Sequence, residues 1–287
     1  AVELCMREHR KEDALAICRR IRDELPEASR ARQSATCASI LMAMGRHEEA
    51  LEELKKADDS ADGKVSLWAG RLKALVLANL GRANEADAQL KALARIHVLP
   101  GEKRDLTLAK IRVLKQTGRE KEALDELSTL VDQNPADPDL ANELSYELAE
   151  KGTDLERAEK LIREAIELEA MQRRQGVMPR FELAAWTPAH DSAMKVDTLG
   201  WILFKRGKLD EACRELERAT RLPEGDDPVL WDHLGDALAA RGEQESARTC
   251  WERAAALWRA GQDRPGENRL EQIERKLAGG PKPARVN

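Results

Sequence analysis

Gly207-Lys-Leu-Asp-Glu-Ala212-Cys-Arg-Glu-Leu216-Glu-Arg-Ala219 holds the pattern from which the rest of the chain can be read: a Gly, four mostly polar residues, an Ala, then apolar or small residues four and seven positions on. The first part recurs as Gly45-Arg-His-Glu-Glu-Ala50, Gly81-Arg-Ala-Asn-Glu-Ala86, Gly118-Arg-Glu-Lys-Glu-Ala123 and Gly242-Glu-Gln-Glu-Ser-Ala247. Gly152 with Ala158 carries one extra residue, and His9 with Ala14 has lost the Gly. The alanines Ala14, Ala50, Ala86, Ala123, Ala158, Ala212 and Ala247 are spaced by 36, 36, 37, 35, 54 and 35 residues, the interval of 54 being one period of 35 plus 19 inserted residues. Self-similarity at such a period marks stacked supersecondary units.

Each unit reads as a helical hairpin. The Gly follows an apolar-periodic helix and can take the left-handed conformation that ends it. The polar residues after it open a second helix, whose Ala sits where two helices approach too closely for a larger side chain. Four residues on comes Cys18, Leu54, Leu90, Leu127, Ile162, Leu216 or Trp251, and three later Ile21, Ala57, Leu93, Leu130, Ala165, Ala219 or Ala254. That i, i+4, i+7 spacing is one face of a helix. Pro26 and Pro135 stop two of the second helices.

Composition agrees. Charged residues make up 35% and apolar residues 42%, with six Trp, two Phe and one Tyr, a balance that favours helix over a β-rich sandwich. The longest apolar run, Ala74-Leu75-Val76-Leu77-Ala78, is too short for a membrane span. A net charge of −5 without a basic stripe argues against nucleic acid as a partner. Cys5, Cys18, Cys37, Cys213 and Cys250 form no metal-spaced or C-x-x-C pair. They read as small buried hydrophobes and point to a reducing, cytoplasmic-type compartment, with export to a bacterial envelope as the alternative.

Trp231-Asp-His-Leu234-Gly235-Asp-Ala-Leu238, followed by Ala247 and Trp251, and Leu199-Gly200 followed by Ala212 and Leu216, resemble the tetratricopeptide repeat. In the middle copies Lys73 and Lys110 stand where that family prefers Leu, and Ile111 stands where it prefers a small residue. Leu148-Ala-Glu-Lys-Gly-Thr-Asp-Leu155, Asp197-Thr-Leu-Gly-Trp201 and Asp232-His-Leu-Gly-Asp236 are similar to stretches of large bacterial members, several of which act at the cell envelope. The resemblance implies an all-α right-handed superhelix of about seven hairpins with a capping helix. A truncated first repeat is expected over 1–30 and hairpins two to five over 31–169. An insertion over 170–191, hairpins six and seven over 192–258, a capping helix over 264–278 and a disordered tail over 279–287 complete the expected order. Ala1 falls inside the first helix of the first copy, so either a longer polypeptide or a short, frayed first helix is expected.

The resemblance also implies a function: a scaffold or adaptor that grips a protein segment with its first helices, or a recruiting module of a longer polypeptide with an upstream catalytic or export domain. Residues expected on that face are Trp68, Arg71, Arg112, Lys115, Asn142, Tyr146, Asp197, Trp201 and Phe204, with Asp232 and Asp236 at the acidic C-terminal end. Phe181 and Trp186 of the insertion are expected to join Trp201 and Phe204, as an anchoring pocket or as a seal on the apolar surface. No first-helix position pairs Lys with Asn one turn apart, so binding of the acidic C-terminal tails that chaperone co-factors clamp is not expected. Phosphate loops, nucleophile elbows and zinc-protease motifs are absent from the sequence, and no enzyme activity, metal or cofactor is expected.

Overall fold

The computed structural model describes residues 2–7, 10–26, 29–57, 63–95, 100–174, 192–262 and 268–279. Every regular element among them is helical. Consecutive helices pair as hairpins: α1 (Val2–Arg7) with α2 (Lys11–Glu24), α3 (Arg30–Ala43) with α4 (His47–Lys55), α5 (Gly63–Asn79) with α6 (Ala83–Leu93) and α7 (Pro100–Gln116) with α8 (Glu120–Gln133). The series continues with α9 (Pro138–Lys151) and α10 (Leu155–Arg174), α11 (Ala193–Lys205) and α12 (Leu209–Arg221), and α13 (Pro228–Arg241) and α14 (Gln244–Leu257). A π turn, Trp258–Gln262, and a last helix, α15 (Arg269–Leu277), follow. Two compact units result, Ala1–Leu130 and Val131–Asn287.

The repeated Gly does what its position requires. Gly45, Gly81, Gly118, Gly152, Gly207 and Gly242 all have φ between 63° and 97°, where a Cβ would be strained. The next residue, where the second helix starts, then pairs with a carboxylate in that helix's first turn. Arg46, Arg82 and Arg119 each donate through two nitrogens to a carboxylate three residues on, Glu49, Glu85 and Glu122. Arg46 also reaches Glu12, and Arg119 reaches Asp87, one repeat earlier. In the later copies Arg206 and Lys208 converge on the buried Glu159. Asp137 and Asp227, each followed by Pro, cap α9 and α13 by accepting from backbone N–H groups of the first turn.

Packing follows the small-residue rule of the repeat. Ala14, Ala50, Ala86, Ala158, Ala212 and Ala247 are fully buried, and Ala123 nearly so. In the first unit one apolar core runs from Cys5 to Val113. In the second, Val196 and Ala193 of α11 meet Ala219 of α12 and Leu230 of α13. Ile111, at the position where the family prefers a small side chain, is nonetheless wholly buried. All five cysteines are buried and unbridged. The structure adds that Cys18 of α2 and Cys37 of α3 touch, Sγ to Sγ 2.8 Å, with Cys37 as donor. That hydrogen bond lowers the Cys18 pKa and raises that of Cys37. The expected insertion begins while α10 is still helical, since the helix extends to Arg174. Phe181 and Trp186 lie outside the described residues.

Candidate functional site

In the second unit the first helices α9, α11 and α13 bring one aromatic and acidic cluster together. Trp201 of α11 stacks on Phe204 one turn on (centroids 4.9 Å apart, 17° between planes) and on His233 of α13 (4.1 Å, 13°). Its indole N–H donates to Glu150 of α9 at 2.6 Å, and the Lys205 ammonium lies 4.5 Å from the ring centroid. Tyr146 of α9 tilts against His233 at 6.3 Å. Asp197 faces His233 Nδ1 with both oxygens, at 3.0 and 2.9 Å, and the two side chains are buried. Asp197, Trp201 and Phe204 are thus buried, while Tyr146 is half-buried beside His233.

Electrostatics in this cluster are strongly perturbed. Burial disfavours a charged His233, but Asp197, through charge and hydrogen bond, and then Asp232 and Asp236 outweigh it and raise the pKa. Burial, followed by the charge of Glu150, pushes the Tyr146 hydroxyl up to about 12. Two further carboxylates, Asp232 and Asp236, sit one turn apart on α13 and are largely buried. Burial, and then the neighbouring Asp232 charge, raises the Asp236 pKa against the pull of Lys276. Lys276 of α15 lies 2.7 Å from each of the two carboxylates, and Trp251 donates its indole N–H to Asp236 at 3.1 Å. Burial works against the Lys276 charge, but the two aspartates hold its pKa above the ordinary value.

The candidates of the first unit are more dispersed. Trp68 is half-buried against the core, Arg71 pairs with Asp105 of α7 at 2.7 Å, Arg112 is exposed and Lys115 half-buried. Asn142 Oδ1 and Trp231 Nε1 are buried without a hydrogen-bond partner. The sequence pattern alone does not bring His233, Lys276 or Arg269 into this cluster. The available signal was weak: two aspartates one turn apart at positions 232 and 236, with a basic residue on a terminal helix whose path the repeat pattern does not fix. Among the described residues no three His, Cys, Asp or Glu side chains converge as a metal-binding group. None of the helices described is long and apolar enough to cross a membrane.

Comparison with known proteins places this architecture. A tetratricopeptide-repeat family model matches residues 37–62. No curated protein matches the sequence. Among solved structures, the chain is similar to one in the APC/C hetero-tetramer Cut9–Hcn1, with 17% identity and a TM-score of 0.59 over 93% of this chain and 46% of that one. It is similar to yeast Tom70 at 13% identity and a TM-score of 0.56, covering 95% of this chain and 59% of that one. It is similar to BtubC from P. vanneervenii at 18% identity and a TM-score of 0.53, covering 86% and 95%. At such identities the likeness is one of fold, and the chain spans 46% and 59% of the first two relatives' lengths.

Proposed function

Because this chain folds as a tetratricopeptide-repeat protein, we propose that it is a scaffold or adaptor, without catalysis of its own, that holds a partner protein segment against its first helices in the second unit. The observation that carries this reading is the cluster on α9, α11 and α13: Tyr146, Trp201 and His233 in ring contact, with Asp232 and Asp236 alongside. Stacked rings with a few fixed charges offer large apolar area at low entropic cost, and such groups dominate interface energetics. Here the buried Trp201 and Phe204 fix the position of His233, and Tyr146 is the half-buried ring of the cluster.

Photo-cross-linking tests this directly. A benzoylphenylalanine in place of Tyr146 is expected to capture a partner protein that the same group in place of Arg214, exposed on the second helix α12, does not. Equal capture at the two positions would move the binding surface off the first helices.

A further inference from the structure

Helix α15 does more than cover the last hairpin. Its residues Arg269, Ile273 and Lys276 are spaced i, i+4, i+7 and so share one helical face. The Arg269 guanidinium lies near enough to the Tyr146 hydroxyl of α9 for its charge to pull against the effect of burial there. Ile273 is 1% exposed. The Lys276 ammonium reaches Asp232 at 2.7 Å and both oxygens of Asp236 at 2.7 and 2.8 Å, and lies 5.9 Å from the Trp251 ring centroid. Within the second unit α15 thus lays a basic–apolar–basic stripe across side chains of α9, α13 and α14.

Two features separate this from simple capping. Covering apolar surface calls for apolar side chains on α15, and does not call for two largely buried carboxylates on α13. Adjacent buried carboxylates are costly unless a cation sits between them, and taking that cation away costs more than the pair contributes. The aspartate pair with Trp251 is therefore a built ammonium or guanidinium site, filled by Lys276. The occupant is also short: at nine residues α15 is below the length of a helix that persists alone, so its helical order depends on this docking.

We propose that α15 is the resident occupant of a docking site for a basic helical segment of a partner protein, one that carries the same basic–apolar–basic stripe and displaces α15 to bind. This deepens the interaction reading above and rests on it. The exchange is ligand for ligand: the incoming cation replaces Lys276 between Asp232 and Asp236, its apolar residue replaces Ile273, and its second cation replaces Arg269 at Tyr146. Because α15 is tethered, it competes at high effective concentration. It therefore screens out segments that match the stripe poorly.

The probe is a fluorescein-labelled peptide with the sequence of residues 266–279, titrated by anisotropy into the full chain and into an Ile273→Asp/Lys276→Glu variant whose α15 is detached. The detached variant is expected to bind at least tenfold more tightly than the unaltered chain, and Asp232→Asn with Asp236→Asn in the same background to abolish that binding. A folded detached variant that binds no better than the unaltered chain would overturn the proposal, as would binding indifferent to the two aspartates. Should the detached variant not fold, Lys276→Gln is read by hydrogen exchange. Faster exchange confined to 268–279 supports a displaceable occupant, and a rise spread equally through 228–258 makes α15 a structural cap and overturns it. Capture at position 146 without peptide binding would remove the basic-helix partner and leave the interaction module standing.

Discussion

A Cβ at Gly200 would lie 2.6 Å from Leu216 Cγ, and one at Gly235 would lie 2.4 Å from the Trp251 indole nitrogen. These are the tight points of hairpins six and seven, and both were readable from the Leu-Gly dipeptide twelve residues ahead of the repeat Ala. Gly70 was not: its Cβ would meet Leu93 Cδ2 at 2.7 Å, but it stands one turn before the usual small position, which Ala74 fills. Gly200→Leu is expected to cost roughly 1–3 kcal/mol or more by forcing the hairpin open, with exchange rising mainly over 193–258. Unchanged protection there would contradict the packing. The His233–Asp197 pair gives a second prediction, in pH. Because the folded His233 pKa is raised, the stability it adds is complete below the unfolded value of about 6.5 and is lost as pH rises through the folded pKa. Asp232, Asp236 and the Lys276 charge face the same site, so the control is Asp197→Asn. Its melting temperature should fall further below that of the unaltered protein at pH 6 than at pH 8.5, and an equal or reversed gap would leave His233 neutral in the folded state.

At the scale of the element, helix ends separate what sequence rules decide from what they leave open. Asp227 stands just before Pro228 at the start of α13, and its carboxylate accepts from the Val229 N–H at 2.8 Å. Before α11 the sequence offers Asp191 or Ser192 as the N-cap; Asp191 lies outside the described residues, and Ser192 makes no side-chain capping bond. Residue type permits a cap, but the side-chain rotamer is set by neighbours the sequence does not display. Asp227→Ala is therefore expected to destabilise the protein by about 1 kcal/mol, and Ser192→Ala to fall within about 0.5 kcal/mol of neutral. Denaturant melts that gave the two substitutions equal costs would refute the distinction. The Gly-Arg-x-x-Glu-Ala segments show the converse: a spacing present in the sequence as merely polar turns out to be a repeated arginine–glutamate clasp at Arg46, Arg82 and Arg119.

At the scale of the molecule, periodicity fixed the all-α hairpin fold because every period repeats one local solution: a left-handed Gly, a small contact residue and a large one a turn later. The candidate site was legible only in part. Tyr146, Trp201 and Asp197 could be placed on first helices by counting from the repeat Ala, whereas the reach of Lys276 to Asp232 and Asp236 depends on where a non-repeating helix lands. Repetition also shapes how the protein should come apart. Within each unit successive hairpins pack on one another, so stability there is a sum of local and nearest-neighbour contributions and damage stays near its origin. The apolar core from Cys5 to Val113 lies within Ala1–Leu130, and Gly235 with its Trp251 contact lies within Val131–Asn287. Gly70→Leu is thus expected to speed hydrogen exchange in the first unit and leave the second close to its original protection, and Gly235→Leu to do the opposite. Denaturant unfolding of either variant should then show two steps, only one of them shifted. A single transition that moves as a whole, or exchange that rises equally in both units for each substitution, would show instead that coupling carries damage along the whole chain and that it unfolds as one cooperative body.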